Sequence, residues 1–234
     1  MKDRLIHLTG SSSGIRRSIT EELLATGVTV LGLAREHQKF CPDNNKYKTY
    51  TVDLADTNAL AKCMKGILIS NPKLDGSVIN AGFGLFDNLE NFSIRQISSY
   101  INSNLVSQIV LASYLIPHFK NLQRGDIIFM GSESGLRGAK KGSLYSAAKF
   151  GLRGFAQGIR EECATKDVRV SIVNPGMVRT PFFETLNFAP GDKSENAIEP
   201  SDVAKVVLTI LSTRSGTVID EVNLTPQKKV IKFE

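Results

Sequence analysis

A strand, a glycine-containing loop and a helix follow one another at the start of the chain, and this arrangement constrains the fold most. Residues 5–8 have an apolar strand pattern, residues 9–15 form a loop of small residues, and apolar side chains then recur at helical spacing. Glycine lets a backbone approach a phosphate closely, and the start of a helix attracts negative charge. The pattern therefore predicts a phosphate-binding loop that contains Gly10, Ser12, Ser13, Gly14 and Ile15.

Strand and helix patterns alternate along the rest of the chain. Further strand patterns occupy residues 28–33, 47–52, 74–79, 127–130, 168–173 and 218–222, with helical patterns between most of them. Such alternation predicts a largely parallel sheet with helices on both faces. We predict one Rossmann-type α/β domain over residues 1–234, with a doubly wound sheet of seven strands. Right-handed crossovers place the loops that follow the strands along one edge of this sheet.

The composition narrows the class of protein. The chain has 234 residues, of which 41% are hydrophobic and 22% charged, as in soluble globular proteins. The net charge is +6, but the sequence contains no run of five or more like charges, so nucleic-acid binding is not indicated. Neither a membrane-spanning run nor a signal peptide is recognisable. Three widely spaced cysteines indicate neither disulfides nor a metal site, so we expect a cytoplasmic protein that binds no membrane and no nucleic acid.

A tyrosine and a lysine four residues apart mark the candidate catalytic helix. Tyr145 and Lys149 share one face of a helical pattern, although the pair alone also fits an ordinary helix surface. An ammonium near a phenol favours the phenolate, so we expect Lys149 to lower the pKa of Tyr145 from about 10. Ser132 lies in a loop of small residues after the strand at 127–130. Its hydroxyl and that of Tyr145 can hydrogen-bond one substrate oxygen, an arrangement suited to proton transfer.

These residues carry a resemblance to a known family. Gly131-Ser132 with Tyr145-Ser146-Ala147-Ala148-Lys149 resembles the active-site segment of the short-chain dehydrogenases/reductases, which move a hydride between a nicotinamide cofactor and a carbonyl or alcohol. Residues 9–16 resemble the family's Thr-Gly-x-x-x-Gly-Ile-Gly motif. The resemblance covers five motifs in the family's order, from Thr9 to about Pro181. It implies that Ser132, Tyr145 and Lys149 are catalytic, and that the last two also contact the cofactor.

The resemblance also implies the other cofactor contacts. Asp53 would lie beside the adenine ring, with Leu54 in the pocket wall. The tripeptide Asn80-Ala81-Gly82 matches a motif at the cofactor side of the central sheet, where Asn80 supports the structure. A Pro-Gly turn and the threonine after it wall the nicotinamide and bind its carboxamide, and the matching residues are Pro175, Gly176, Val178 and Thr180.

One asparagine completes the implied catalytic set. The helical pattern of residues 94–122 contains Asn102 and Asn104, and asparagine is unfavourable inside a helix. Asn104 matches the family's catalytic asparagine, which holds a water that links the lysine to solvent. Asn102 is the alternative candidate from periodicity alone. Pro117 is expected to bend or end this helix.

Two arginines bear on the choice of cofactor. Arg35 follows the second strand, where an acidic residue would bind a ribose hydroxyl and an arginine accommodates a 2′-phosphate. NADP is therefore favoured over NAD, and Ser13 can donate to the same phosphate. Arg16 stands where the family has its third glycine, which allows close packing at the helix start. Three outcomes are open for Arg16: its side chain points to solvent, it points to the phosphates, or it impairs cofactor binding.

These features predict an NADP(H)-dependent oxidoreductase that acts on a small-molecule carbonyl compound or secondary alcohol. Residues 220–226 loosely resemble the hydroxy-acid and serine dehydrogenase branch, so a small hydroxy acid is a candidate substrate. Residues 182–198 are expected to form a mobile substrate lid. A homodimer or homotetramer is expected. The alternative function is a dinucleotide-binding sensor or scaffold that is catalytically weak.

Overall fold

The computed structural model describes residues 1–10, 14–37 and 40–233, so Ser12 and Ser13 lie outside the described residues. The strands are β1 (Leu5–Thr9), β2 (Thr29–Ala34), β3 (Tyr47–Thr51), β4 (Gly76–Ile79), β5 (Gly125–Met130), β6 (Val168–Pro175), β7 (Phe188–Pro190), β8 (Glu221–Leu224) and β9 (Ile231–Phe233). The α-helices are α1 (Gly14–Ala25), α2 (Thr57–Ser70), α3 (Ile94–Ile101), α4 (Ser107–Leu122), α5 (Ser143–Ala164) and α6 (Pro200–Ser212).

Seven strands form one parallel sheet in the order β3-β2-β1-β4-β5-β6-β8, which confirms the predicted doubly wound fold. The last of these strands begins later than the predicted range of 218–222. Ile219 packs against the core without joining the sheet, and pairing with β6 starts at Glu221. Strands β7 and β9 form a separate antiparallel pair, which the sequence analysis did not predict.

Each face of the sheet carries its own apolar core. Helices α1 and α6 cover one face with side chains such as Ile19, Leu23 and Val207. Helices α2, α4 and α5 cover the other with side chains such as Leu60 and Leu111. The apolar residues recur at helical spacing because each of these helices buries one stripe against the sheet. None of the helices in the described ranges is long and apolar enough to cross a membrane.

The helical segment after β4 contains a local irregularity. Between α3 and α4, residues Asn102–Val106 form one π-helical turn, a feature that is frequent at functional sites. Ser93 begins α3 with a capping box, in which Gln96 is the reciprocal partner. The α4 helix continues through Pro117 to Leu122, so Pro117 does not end it.

Burial of His7 makes the stability of the fold depend on pH. His7 is fully buried in β1, its Nδ1 lies 2.9 Å from Ser77 Oγ, and burial lowers its pKa to about 4. Between this value and the ordinary 6.5, the unfolded chain binds a proton that the folded chain does not bind. Stability is therefore full above pH 6.5, and we expect the free energy of unfolding to fall by about 3 kcal/mol as the pH drops to 4.

Urea unfolding at a series of pH values measures this loss. His7→Asn keeps a hydrogen-bonding group next to Ser77 but cannot titrate, so its stability should lack this pH dependence. His118→Asn is the control, because His118 contacts the Leu74 carbonyl outside the sheet and should leave the His7 effect in place. A His7 variant that loses as much stability in acid as the wild type would contradict the prediction.

Candidate active site

The loops that follow β1, β4, β5 and β6 surround a cavity of about 350 Å³ at the carboxyl edge of the sheet. Parallel strands end at the same edge, so residues that are far apart in sequence meet there. The cavity wall contains most of the residues that the sequence analysis assigned to catalysis and cofactor binding, namely Gly14, Ile15, Asn80, Gly82, Asn104, Ser132, Tyr145, Lys149, Pro175, Gly176, Val178 and Thr180.

Five assigned residues among those that the structure describes lie outside the cavity wall, farther along the same edge. Gly10 follows β1 and Arg35 follows β2, while Asp53 and Leu54 follow β3. Arg35 and Asp53 are exposed, and Leu54 packs against the core beneath α2 and α4. Ala81 is buried behind the wall. These positions trace a line from the cavity across β1, β2 and β3.

Ser132, Tyr145 and Lys149 meet in the cavity. Helix α5 presents the tyrosine and the lysine on one face, with Lys149 Nζ 5.8 Å from the centroid of the Tyr145 ring. The ammonium also donates to the Met130 carbonyl over 2.8 Å, which ties α5 to the end of β5. Ser132 is buried directly after β5 and hydrogen-bonds the Tyr145 side chain. A phenol, a hydroxyl and an ammonium therefore converge on one point.

The pKa of Tyr145 is shifted in the direction opposite to the one expected. Desolvation raises the pKa of Tyr145, the hydrogen bond with Ser132 lowers it, and the negative charge of Glu133 raises it again. The expected lowering by Lys149 is therefore wrong for this structure, because desolvation dominates. Burial lowers the pKa of Lys149 itself to about 8. At neutral pH the site thus holds a protonated phenol beside a lysine that is mostly charged.

Asn104, and not Asn102, belongs to the cavity. Asn102 is exposed, whereas Asn104 is fully buried in the π-helical turn. Asn104 Oδ1 accepts from the Phe83 N–H over 3.0 Å, and its Nδ2 donates to the Tyr100 carbonyl over 3.1 Å. The side chain therefore joins the irregular turn to the loop after β4.

The Asn80 segment is tied to β1 through its backbone. The Thr9 hydroxyl accepts from the N–H groups of Asn80 and Ala81, each over 2.9 Å. This bridge holds the ends of β1 and β4 together through the backbone, and the supporting role expected for the Asn80 side chain stays a prediction. Thr9 is the first residue of the glycine-loop motif, but its position in the sequence does not indicate these hydrogen bonds to the segment after β4.

The segment after β6 packs against the glycine loop. Thr180 begins the short 3₁₀ helix Pro181–Phe183, and its Oγ1 accepts from the Phe182 N–H over 3.4 Å. A side chain on Gly14 would begin 3.2 Å from the Thr180 Cβ. Thr180 and the start of α1 therefore face each other across a narrow part of the cavity.

Arg16 does not point to solvent. Its side chain folds over Gly10, so that a Cβ on Gly10 would lie 2.7 Å from Arg16 Cδ. Desolvation lowers the pKa of Arg16, and the positive charge of Arg35 lowers it further. The two guanidinium groups therefore lie close enough to repel each other at the end of β1 and β2. The backbone of Gly10, which a phosphate would approach, is covered by a cation.

Several aromatic residues of the site were missed. Phe86, from the loop after β4, lies 5.1 Å from Tyr145 and 5.1 Å from Phe188 between ring centroids. Phe182 lies 6.2 Å from Tyr145, and Phe183 lies 5.2 Å from Phe182. We call these five rings the aromatic cluster. The adjacent phenylalanines at 182 and 183 and the run Phe83-Gly84-Leu85-Phe86 were the available signals, but nothing in their spacing indicated contact.

The lid segment, residues 182–198, is held by the C-terminal tail. Strand β7 pairs with β9, and Gly191 N–H donates to the Val230 carbonyl over 3.0 Å. Lys229 Nζ lies 2.8 Å from each carboxylate oxygen of Glu133, the residue after Ser132. The tail therefore contacts both the lid segment and the loop that carries the catalytic serine.

Known proteins resemble this chain along most of its length. The family model for short chain dehydrogenase matches residues 4–190. An uncharacterised oxidoreductase of Staphylococcus saprophyticus is 27% identical over 97% of this chain and 98% of its own. The NADP-dependent 3-hydroxy acid dehydrogenase of Schizosaccharomyces pombe is 27% identical, over 95% of this chain and 92% of its own.

A solved structure agrees with the fold and the family match. The crystal structure of a metagenomic short-chain oxidoreductase in complex with NADP has a TM-score of 0.82 and 28% identity, and the match covers 97% of this chain and 99% of that one. The parallel sheet and the meeting of Ser132, Tyr145 and Lys149 are those expected from the resemblance. The chain therefore belongs to the short-chain dehydrogenase family and is an oxidoreductase.

Proposed function

We propose that the chain transfers a hydride between NADP(H) and a carbonyl compound or secondary alcohol. The observation that carries the proposal is the meeting of Ser132, Tyr145 and Lys149 in one cavity. The relative from Schizosaccharomyces pombe is NADP-dependent, and the metagenomic oxidoreductase was solved with NADP, which supports the choice of cofactor.

The residues at the sheet edge fit this cofactor chemically. Gly14, with a positive φ of 55°, starts α1 and leaves N–H groups for a phosphate. Arg35 places a cation at the end of β2, where the cofactor's 2′-phosphate would balance its charge. The residues that would hold the cofactor are Gly10, Ser12, Ser13, Gly14, Ile15, Arg35, Asp53, Leu54, Asn80, Ala81, Gly82, Tyr145, Lys149, Pro175, Gly176, Val178 and Thr180.

NADPH, when bound, supplies a hydride to the carbonyl carbon. Because desolvation raises its pKa, Tyr145 keeps its proton at neutral pH and can donate it to the substrate oxygen. Ser132 donates a hydrogen bond to the same oxygen and stabilises the charge that builds there. Lys149 supplies positive charge beside the tyrosine. Asn104 holds the neighbouring loop in place and would hold the water through which the proton is resupplied. In alcohol oxidation each role reverses.

A cofactor-depletion assay tests the proposal. The purified protein is mixed with NADPH and a panel of ketones and aldehydes, or with NADP and 3-hydroxy acids, and the change in NADPH absorbance is followed. We expect turnover with at least one carbonyl compound and stronger activity with NADPH than with NADH. Cofactor binding without turnover of any compound would favour the alternative function, a sensor or scaffold. The position of Arg16 over Gly10 favours this alternative, because it covers backbone that a cofactor phosphate would approach.

Replacing Arg16 with glycine is expected to tighten NADPH binding about tenfold, or about 1.4 kcal/mol. The variant uncovers Gly10, so backbone N–H groups can reach the phosphates, and each such charge-assisted hydrogen bond contributes about 1.5–3 kcal/mol. One flexible arginine contact offsets this gain only in part. Calorimetric titration measures both affinities.

Arg17→Gly is the matched control for this titration. Arg17 is the next residue of α1, its side chain is exposed, and it pairs with Glu21 over 2.9 Å. Its replacement puts the same glycine into the same helix but should leave NADPH affinity unchanged. Equal or weaker binding by the Arg16 variant would show that Arg16 is a phosphate clamp.

We further propose that residues 1–234 act as one domain and that the lid segment covers bound substrate. The presence of Phe182 and Phe183 in the cavity wall, and the contact of Phe188 in β7 with Phe86, support the second point. A cytoplasmic location and a homodimer or homotetramer stay predictions.

A further inference from the structure

Three aromatic residues that line the cavity, Tyr145, Phe182 and Phe183, belong to a larger group of rings. The aromatic cluster consists of Phe86, Tyr145, Phe182, Phe183 and Phe188, with neighbouring ring centroids 5.1 to 6.5 Å apart. Most of these pairs meet edge to face, the geometry that aromatic rings prefer. Tyr145 belongs to both the cluster and the catalytic group. A substrate whose carbonyl carbon lies beside Tyr145 therefore has phenyl rings next to the groups attached to that carbon.

The rings are held close to the backbone after β4. A Cβ on Gly84 would lie 2.5 Å from Phe182 Cζ and 2.7 Å from Phe86 Cε2, so a side chain at this position would require both rings to shift. Phe182 and Phe183 come from the lid segment, and Phe86 comes from the loop that Asn104 anchors through the Phe83 N–H. The aromatic wall is thus assembled from two loops that pack directly against each other.

One cation of the cavity lies at the edge of this wall, because Lys149 Nζ is 5.8 Å from the centroid of the Tyr145 ring, and the other lies away from it. Among the described residues that line it, only Arg16 and Lys149 carry charged side chains. Arg16 packs over Gly10 beside Arg35, in the part of the site that suits phosphates. Lys149 is buried and donates to the Met130 carbonyl. A carboxylate placed beside Phe182 and Phe183 would therefore lose its water, and the nearest cation of the cavity, Lys149, already donates to a backbone carbonyl, so the transfer is costly.

We propose that the substrate is an uncharged carbonyl compound with an aryl or bulky alkyl group, and that Phe182 is a specificity-determining residue that packs against this group. The proposal rests on the proposed carbonyl reduction and deepens it. It disfavours the free acid form of a hydroxy or keto acid and favours the corresponding ester, which has the same carbonyl group without the charge.

A matched pair of substrates tests the charge. Methyl 4-acetylbenzoate and 4-acetylbenzoate share the aryl ketone and differ at the far side of the ring, where one carries an ester and the other an anion, so the ketones themselves have similar reactivity. With NADPH and the full chain, we expect kcat/KM for the ester to exceed that for the acid by about a hundredfold or more, since desolvating an unpaired carboxylate is expensive. Equal values, or a preference for the acid, would overturn the proposal.

A variant tests the aromatic contact. Phe182→Ala should lower kcat/KM for acetophenone about ten- to a hundredfold, and should lower it far less for acetone, which is too small to fill the aromatic wall. The Kd of NADPH, measured by calorimetry, should stay the same and show that the variant is folded. Phe150→Ala is the control, because this ring is exposed on α5 and does not line the cavity, so the acetophenone-to-acetone ratio should stay at the wild-type value.

Failure of the substrate-class proposal and failure of the proposed function give different results. Turnover of several carbonyl compounds without a preference for the ester, or an unchanged ratio in Phe182→Ala, overturns the substrate class and leaves the proposed function standing. Failure to reduce any carbonyl compound, with NADPH bound, overturns both.

Discussion

Phenylalanine in place of Tyr145 is expected to lower the turnover of carbonyl substrates by about 10² to 10⁴, the usual contribution of general acid–base catalysis. The substitution removes the only proton that the phenol can donate to the substrate oxygen. It keeps the ring, which packs against Phe86 at 5.1 Å and Phe182 at 6.2 Å between centroids. The Kd of NADPH should therefore be nearly unchanged. Steady-state kinetics and calorimetry on the same preparation separate the two effects.

Tyr114→Phe is the control for this loss of a hydroxyl. Tyr114 lies on α4, packs against the core on that face of the sheet and does not line the cavity, so its variant should keep wild-type turnover. If Tyr145→Phe retained more than about half of the wild-type rate, Tyr145 would have no part in proton transfer. Another group would then have to donate the proton to the substrate oxygen.

Aspartate in place of Arg35 is expected to change the preference for NADP over NAD by about a thousandfold. Two charge-assisted hydrogen bonds from the guanidinium to a 2′-phosphate contribute about 1.5–3 kcal/mol each, so their loss alone gives about a hundredfold. The new carboxylate repels the phosphate and can accept from the ribose hydroxyls of NAD, which adds about tenfold. Titration of both cofactors against both proteins measures the change.

Lys62→Asp separates the local effect from the change in net charge. It makes the same two-unit change at an exposed position of α2, and its cofactor preference should match that of the wild type. A wild-type protein that already binds NAD better than NADP would show that the assignment of Arg35 is wrong.

Much of the fold follows from patterns that are local in sequence. The central strands of the parallel sheet are short apolar runs, and the helices between them show an apolar stripe, so the alternation of strand and helix patterns indicated the architecture. The site was predictable for a related reason: loops that follow parallel strands share one edge. Ser132 and Tyr145 are therefore neighbours although Ser132 lies on the loop after β5 and Tyr145 on α5.

The features that were not predicted depend on competition between effects or on contacts between distant segments. A lysine four residues from Tyr145 suggested a lowered pKa, but the sign is set by desolvation, which sequence spacing does not reveal. The direction of the Arg16 side chain depends on the free space above Gly10. The pairing of β7 with β9 joins strands of three residues each, which are too short to show an alternating pattern.

The pairing of β7 with β9 also determines when the lid segment can be held in place during protein synthesis. Every residue proposed to act in catalysis or cofactor binding has left the ribosome once Thr180 has emerged. The lid segment follows soon after, but its backbone partner, residues Ile231–Phe233, comes much later. A nascent chain that has reached only α6 can already form most of the sheet, yet Phe182 and Phe183 have no strand pair behind them to hold their segment in place. Folding intermediates of this stage expose aromatic surface, which makes the interval before β9 emerges the one in which aggregation is favoured.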